Sequence, residues 1–112
     1  MAGETCRIEG FATFGKGEAL PAGAVAIVRL EEHGIADKAA EVFGEARLDV
    51  GGHRAPLPFS LTADCASLRA AHMPAFAIRI EKDGRLLYVN DTHHPYRAST
   101  HRHHVELVPV GG

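Results

Sequence analysis

Apolar and polar residues alternate on both sides of Asp83-Gly84, and this pattern predicts a β-hairpin. Asp-Gly suits a two-residue loop because both positions need positive φ, which Asp tolerates and Gly adopts without steric cost. Such a loop sets Lys82 opposite Arg85 and Ile80 opposite Leu87. The expected core face carries Phe76, Ile78, Ile80, Leu87 and Val89. The expected outer face carries Ala77, Arg79, Glu81, Leu86 and Tyr88.

The same alternation predicts further short strands before and after the hairpin, in the ranges 5–14, 24–32, 41–48, 55–61 and 105–110. Gly10 lies inside the first of them, where a glycine indicates a bulge or a close approach of two backbones. Pro56 and Pro58 cannot donate hydrogen bonds to a ladder, so the fourth strand is expected at a sheet edge.

Two stretches interrupt the β pattern. Segment 34–43 contains helix-forming residues, but a loop leading into a strand at about residue 41 is favoured because the segment is short. Thr62 or Asp64 is expected to cap a helical turn at 67–71. The chain as a whole is therefore predicted to be all-β: a single-domain antiparallel β-sandwich of about seven strands with at most one or two short helical turns.

The length and the net charge of the chain exclude some classes of function. A chain of 112 residues fits one domain, expected at 5–110 with flexible termini at 1–4 and 111–112. The net charge of −2 argues against nucleic acid as a partner, and no apolar run is long enough for a transmembrane segment. The first residues show no signal-peptide pattern, which leaves open a cytosolic protein or a leader that has been removed.

The two cysteines, Cys6 and Cys65, stand far apart and form no metal-binding or redox motif. We expect them to be small apolar core residues. The alternative is a single disulfide across the sandwich, which requires an oxidising compartment. Nothing beside either cysteine indicates a lowered pKa, so a nucleophilic role is not favoured.

Histidine is unusually frequent, with eight residues of which five lie between His93 and His104. Two of these, His101 and His103, would point to the same face of a strand and suit Zn²⁺ or Cu²⁺. A metal-binding domain is therefore the alternative function, with the candidate ligands His93, His94, His101, His103 and His104. Arg102 would place a positive charge beside the metal ion, so a solvated, pH-sensitive segment without a cofactor is favoured.

Catalytic patterns are missing from the sequence: neither GxSxG nor HExxH occurs, and a non-enzymatic role is expected. The surface predicted to bind a protein partner is the outer face of the hairpin, with Arg79, Leu86 and Tyr88. The edge strand near 56–61 is the second part of this surface, because an extended segment of a partner can add to such an edge.

Three segments resemble the YbaY/YscW family: Leu20–Val25, the pair Pro58-Phe59, and Asp83–Thr92 followed by Pro95. The resemblance implies a small β-sandwich lipoprotein, and in the YscW branch a pilotin chaperone for type III secretion secretins. It therefore implies a secretin-like protein client and residence in the periplasm or at the outer membrane. No leader or lipobox precedes Cys6 in the sequence, so the cytoplasm is the alternative. The histidine-rich tail after Pro95 departs from the family pattern.

Overall fold

The computed structural model of the chain describes residues 4–15, 17–34, 41–91 and 93–110. The first four strands in these ranges are β1 (Thr5–Thr13), β2 (Val25–Glu32), β3 (Val42–Asp49) and β4 (Leu57–Asp64). The helix α1 (Cys65–Arg69) follows β4. The last four strands are β5 (Pro74–Lys82), β6 (Arg85–Val89), β7 (Arg102–Glu106) and β8 (Val108–Pro109). The predicted all-β class is confirmed.

The strands form two sheets that face each other, one of three strands in the order β4-β1-β7 and one of five in the order β3-β2-β5-β6-β8. Alternate residues of each strand point between the sheets, as the period of two requires. Phe76 and Ile80 of β5 are fully buried there, and Phe59 of β4 meets Phe76 ring to ring at 5.7 Å. The core thus lies between the sheets, and each sheet keeps an outer face.

One pair of strands departs from the antiparallel arrangement, because β7 runs parallel to β1. The chain crosses from the larger sheet to the smaller one after the hairpin and enters β7 in the direction of β1. It then returns, since β8 pairs with β6 in the larger sheet. The single strand predicted at 105–110 is therefore two short strands, with the buried Leu107 between them.

Two glycines lie where backbones approach closely. A Cβ on Gly10 would overlap the carbonyl oxygen of His103 and would lie 2.6 Å from the ring of Phe59, which confirms the expected close approach. A Cβ on Gly44 in β3 would overlap the carbonyl oxygen of Thr62 in β4. Strand β4 is an edge strand of its sheet, as its prolines predicted, but β3 covers part of that edge.

The expected helix cap is Asp64, whose carboxylate accepts hydrogen bonds from the backbone N–H of Ser67 at 2.9 Å and from its hydroxyl at 2.8 Å. The helix starts two residues earlier than predicted.

The predictions for residues 1–3, 16, 35–40 and 111–112 lie outside the described residues. Strand β3 begins at Val42, close to the predicted start of a strand.

Cys6 and Cys65 form a disulfide with their Cα atoms 5.2 Å apart. The prediction of two separate core cysteines is thus wrong, and the disulfide alternative is correct. The cause is the register of β1 against β4, which sets Cys6 opposite Ala63. Cys65 follows Ala63 by two positions and so comes close enough to bond with Cys6. This register depends on contacts distant in sequence, and the spacing of the cysteines does not reveal it.

Candidate functional site

The outer face of the five-stranded sheet carries a groove of about 470 Å³ across β2, β5 and β6, which we call the outer groove. Its apolar floor consists of Ile27, Ala77 and Val89. Its polar lining is made by Arg29, Glu31, His33, Arg79, Asp91 and His93. An apolar strip framed by charges of both signs is suited to binding a side chain of a protein partner.

Ile27 explains why the floor is apolar. It lies on the outer face, because its neighbours Ala26 and Val28 belong to the core between the sheets. Its ladder partners are Arg47 on β3 and Arg79 on β5, and Ile27 is only 4% exposed. The aliphatic stems of the two arginines can cover an apolar neighbour while their charged ends stay in water. Arg79 therefore flanks the apolar floor of the outer groove.

Charged and polar side chains around the outer groove form local pairs. Arg29 Nε lies 2.5 Å from a carboxylate oxygen of Glu45, and Arg79 Nε lies 3.4 Å from Glu81. His33 Nε2 lies 3.1 Å from Glu31. Pairs of this exposure contribute only about 0–1 kcal/mol each, so they can exchange partners at little cost when another protein binds.

Asn90 shapes the end of the outer groove. Its side chain accepts a hydrogen bond from the N–H of Ile78 at 2.8 Å and donates one to the carbonyl of Phe76 at 2.9 Å. The amide thus takes the place of a strand backbone beside β5, and Pro95 pairs with Ala75 further along that strand. Asp91 and His93 line the groove beside Asn90. The sequence shows only an Asn at a strand end, which is too weak a signal for this role.

The three residues predicted to bind a partner are placed differently. Arg79 lines the outer groove, whereas Leu86 pairs with Glu81 on the same face but outside the groove. The placement of Tyr88 on the outer face is wrong. It pairs with Ile80, packs against the core, and its ring lies 5.2 Å from that of Phe14.

The cause of this error is a register shift within the hairpin. Lys82 pairs with Arg85 as predicted, and Glu81 pairs with Leu86, but the next pair is Ile80 with Tyr88. One extra residue on β6 turns every later side chain to the opposite face. Val89, predicted in the core, therefore reaches the floor of the outer groove.

The five predicted metal ligands are divided among different places. His93 lies near His33, with ring centroids 5.6 Å apart, and His103 is buried in the core. His94 is half-buried, with its ring 6.3 Å from that of His103. His101 and His104 are exposed. Across the ranges that the structure describes, no three His, Cys, Asp or Glu side chains are placed to share one metal ion.

His103 lies in an aromatic cluster at one end of the core. Its ring stacks on Tyr96 at 5.2 Å and lies 4.9 Å from that of Phe76, and its Nε2 accepts the backbone N–H of Arg97 at 3.2 Å. Burial lowers the pKa of His103, and the backbone groups of Glu9 and Arg97 oppose that shift only in part. The imidazole is thus neutral in the folded protein near neutral pH.

Stability should therefore fall on mild acidification. The unfolded chain protonates this histidine at its ordinary pKa of about 6.5, while the folded chain resists protonation. Stability is full above that pH and decreases as pH falls towards the lowered pKa of the folded state. We expect the melting temperature to drop by a few degrees between pH 7.5 and 5.5. Thermal unfolding of His103→Gln should show a smaller drop, while His101→Gln, an exposed control, should match the unmodified protein. An equal fall in melting temperature in all three proteins would contradict the conclusion that His103 causes the pH dependence.

Glu32 is a buried carboxylate with a structural role. Burial raises the pKa of Glu32. The backbone N–H groups of His72, Gly34 and Met73, at 2.7–2.8 Å, and the nearby His72 side chain together lower it by more than burial raises it. The net shift of the pKa is therefore downwards. A carboxylate held ionised by three donors is not a general acid. It fastens the chain before β5 to the end of β2.

Comparison with known proteins identifies the family. The family model described as type III secretion system lipoprotein chaperone (YscW) matches residues 4–108. The chain belongs to the YscW family. A solved structure of an alternative pilotin from the type II secretion system of Vibrio cholerae superposes with a TM-score of 0.87 at 30% identity, covering 97% of this chain and 100% of that one. The search of curated proteins gave no significant match.

Membership of the YscW family confirms the resemblance found in the sequence. The match runs from the residue before β1 to the start of β8, so it includes the outer groove and both sheets. The YscW family and the pilotin structure together support a chaperone-like, non-enzymatic role with a protein partner. No helix in the described ranges is both long and apolar enough to cross a membrane.

Proposed function

We propose that this chain is a pilotin-like chaperone that holds a segment of a secretin subunit in the outer groove, in the periplasm or at the outer membrane. The observation that carries the proposal is the apolar floor of Ile27, Ala77 and Val89 on an otherwise charged sheet face. A family of lipoprotein chaperones and a similar pilotin structure support a protein client from a secretion system.

The chemistry of the outer groove indicates what the client segment presents. The floor accommodates a small number of apolar side chains, and the lining carries Arg29 and Arg79 beside Glu31 and Asp91. This mixed charge favours an amphipathic segment with charges of both signs over a strongly acidic or basic one. Apolar contact supplies most of the affinity, and the charged lining selects the partner.

Recognition in the outer groove relies on side chains. Strand β2 already pairs with β3 on one side and β5 on the other, so its backbone offers no free ladder to an added strand. The edge strand β4 was the other predicted surface, but Gly44 of β3 lies against the backbone of Thr62 there. Strand addition at this edge is therefore restricted, and the outer groove is the better candidate.

The disulfide between Cys6 and Cys65 supports the proposed compartment. Disulfides form and persist in oxidising environments such as the bacterial periplasm, and they are rare in the cytosol, where thiols are kept reduced. This support is independent of the outer groove.

A substitution that fills the floor should weaken client binding. Ala77 is half-buried on the outer face, so the side chain of Ala77→Trp can extend into the groove without entering the core. We expect this change to weaken binding of the purified secretin subunit from the same organism by about tenfold or more, measured by calorimetric titration. The melting temperature should stay nearly unchanged.

Leu86→Ser is the matched control, because Leu86 lies on the same sheet face but outside the outer groove. It should bind the secretin subunit as the unmodified chain does. Loss of binding in Leu86→Ser, with binding retained in Ala77→Trp, would move the client site away from the groove. No binding to the secretin subunit by the unmodified chain would refute the proposed client.

A further inference from the structure

The histidine-rich segment has a property that the proposed function does not use. Between Asp91 and Glu106 the chain contains no carboxylate, yet it carries two arginines and five histidines. Arg97 and Arg102 therefore give this segment a positive charge that no acidic side chain within it offsets. The same charges attract anions.

The structure gathers much of this segment around one pocket. The pocket has a volume of about 500 Å³ and lies between the segment before β7 and the start of that strand. We call it the basic pocket; its polar lining is formed by His94, Arg97, Thr100, Arg102, His103 and His104. It shares no lining residue with the outer groove.

Both arginines of the basic pocket lack a carboxylate partner among the described residues. The nearest acid across the ladder is Glu9, whose Cα is the register partner of Arg102. Its carboxylate lies 3.3 Å from Arg7 on its own strand and is directed to that residue. The guanidinium charges of Arg97 and Arg102 are thus left for a ligand.

Local contacts restrict the side chain of Arg102 and the backbone of Arg97. The guanidinium carbon of Arg102 lies 5.8 Å from the centroid of the Phe11 ring, a cation–π arrangement. The backbone N–H of Arg97 is bound to His103 Nε2 at 3.2 Å, which fixes the main chain that carries its side chain. The guanidinium group of Arg102, held against Phe11 in this way, loses less conformational entropy on binding than a free surface side chain does.

His94 lines the same pocket, and its pKa is lowered mainly by burial and to a smaller extent by the neighbouring His103, His93 and His104. A bound anion would favour the protonated form of this imidazole. The hydroxyl of Thr100, also in the lining, can donate to an anionic oxygen.

We propose that the basic pocket binds a phosphate group, either free or as the headgroup of an anionic phospholipid. Arginine presents planar pairs of donors that match phosphate oxygens, and such charge-assisted hydrogen bonds are stronger than neutral ones. The site is independent of the outer groove, so it can be tested without any secretin.

The test uses the tag-free chain with two probes. One is inorganic phosphate, titrated while the NMR shifts of the pocket residues are followed. The other is co-sedimentation with phosphatidylcholine vesicles with or without phosphatidylglycerol. We expect saturable binding of at least one probe and a reduction of about tenfold or more in Arg97→Gln/Arg102→Gln. The control Arg69→Gln/Arg85→Gln removes the same charge elsewhere and should bind as the unmodified chain does.

The two probes distinguish the sources of phosphate. Binding of inorganic phosphate identifies a soluble phosphate site, whereas binding only to phosphatidylglycerol vesicles identifies a lipid headgroup site. If neither probe binds, or if the control pair loses binding equally, the basic pocket is not a phosphate site. Loss of Arg102 could disturb the packing on Phe11. The single variant Arg97→Gln avoids this change, so its phosphate binding and its melting temperature are measured as well.

Discussion

Gly10→Val is expected to lower the free energy of unfolding by about 3 kcal/mol. The new Cβ would overlap the carbonyl oxygen of His103 on one side and approach the ring of Phe59 on the other. Strand β1 lies between β4 and β7, so a movement that relieves one contact worsens the other. Urea unfolding followed by circular dichroism measures the loss.

Arg7→Val is the matched control for this prediction. It introduces the same β-branched side chain into the same strand at an exposed position, and it should change the free energy of unfolding by less than about 1 kcal/mol. Gly10→Val should also alter the NMR signals of His103, because that carbonyl belongs to the residue that must move. A Gly10→Val protein as stable as the control would show that β1 and β7 can move apart without loss of stability.

Gly10 is an example of what the sequence could predict. A glycine inside an alternating strand indicates a bulge or a close backbone approach, and the structure shows the close approach. The pattern around Asp83-Gly84 likewise predicted the loop and the buried face of β5, where Phe76 and Ile80 are fully buried. Local rules succeed here because turn geometry and strand periodicity depend only on neighbouring residues.

The second strand of that hairpin shows the limit of these rules. Alternation assigns faces correctly only while each residue has one partner, and the extra residue between Leu86 and Tyr88 breaks that condition. The packing of Tyr88 against Phe14, which lies far away in the sequence, is compatible only with the shifted register. Nothing near the bulge in the sequence indicates it.

The candidate site could be predicted only in part for the same reason. The outer-face position of Arg79 could be predicted because Arg79 lies on the regular strand β5, whereas Val89 follows the bulge and alternation places it in the core. The outer groove also depends on Asn90, which replaces a strand backbone through its side chain. The pairing of Cys6 with Cys65 and the parallel entry of β7 depend on topology, which alternation does not specify.

Removal of the disulfide in Cys6→Ala/Cys65→Ala is expected to lower the free energy of unfolding by about 4 kcal/mol. The two residues are 59 positions apart, and opening so large a loop returns much conformational entropy to the unfolded chain. Urea unfolding of the variant and of the unmodified chain, each with and without a reducing agent, measures the effect. The reducing agent should destabilise the unmodified chain by a similar amount and leave the variant unchanged.

This loss is large compared with the total stability of a domain of this size, which is typically about 5–15 kcal/mol. The register of β1 and β4 persists without the bond, because it is also set by buried contacts such as Ile8 opposite Leu61. We therefore expect the variant to fold but to unfold at a much lower temperature. Dependence on the disulfide to this degree would support the proposed oxidising compartment. A loss below about 1 kcal/mol would instead show that the two sheets alone maintain the fold, and the disulfide would no longer support the periplasm as the site of action.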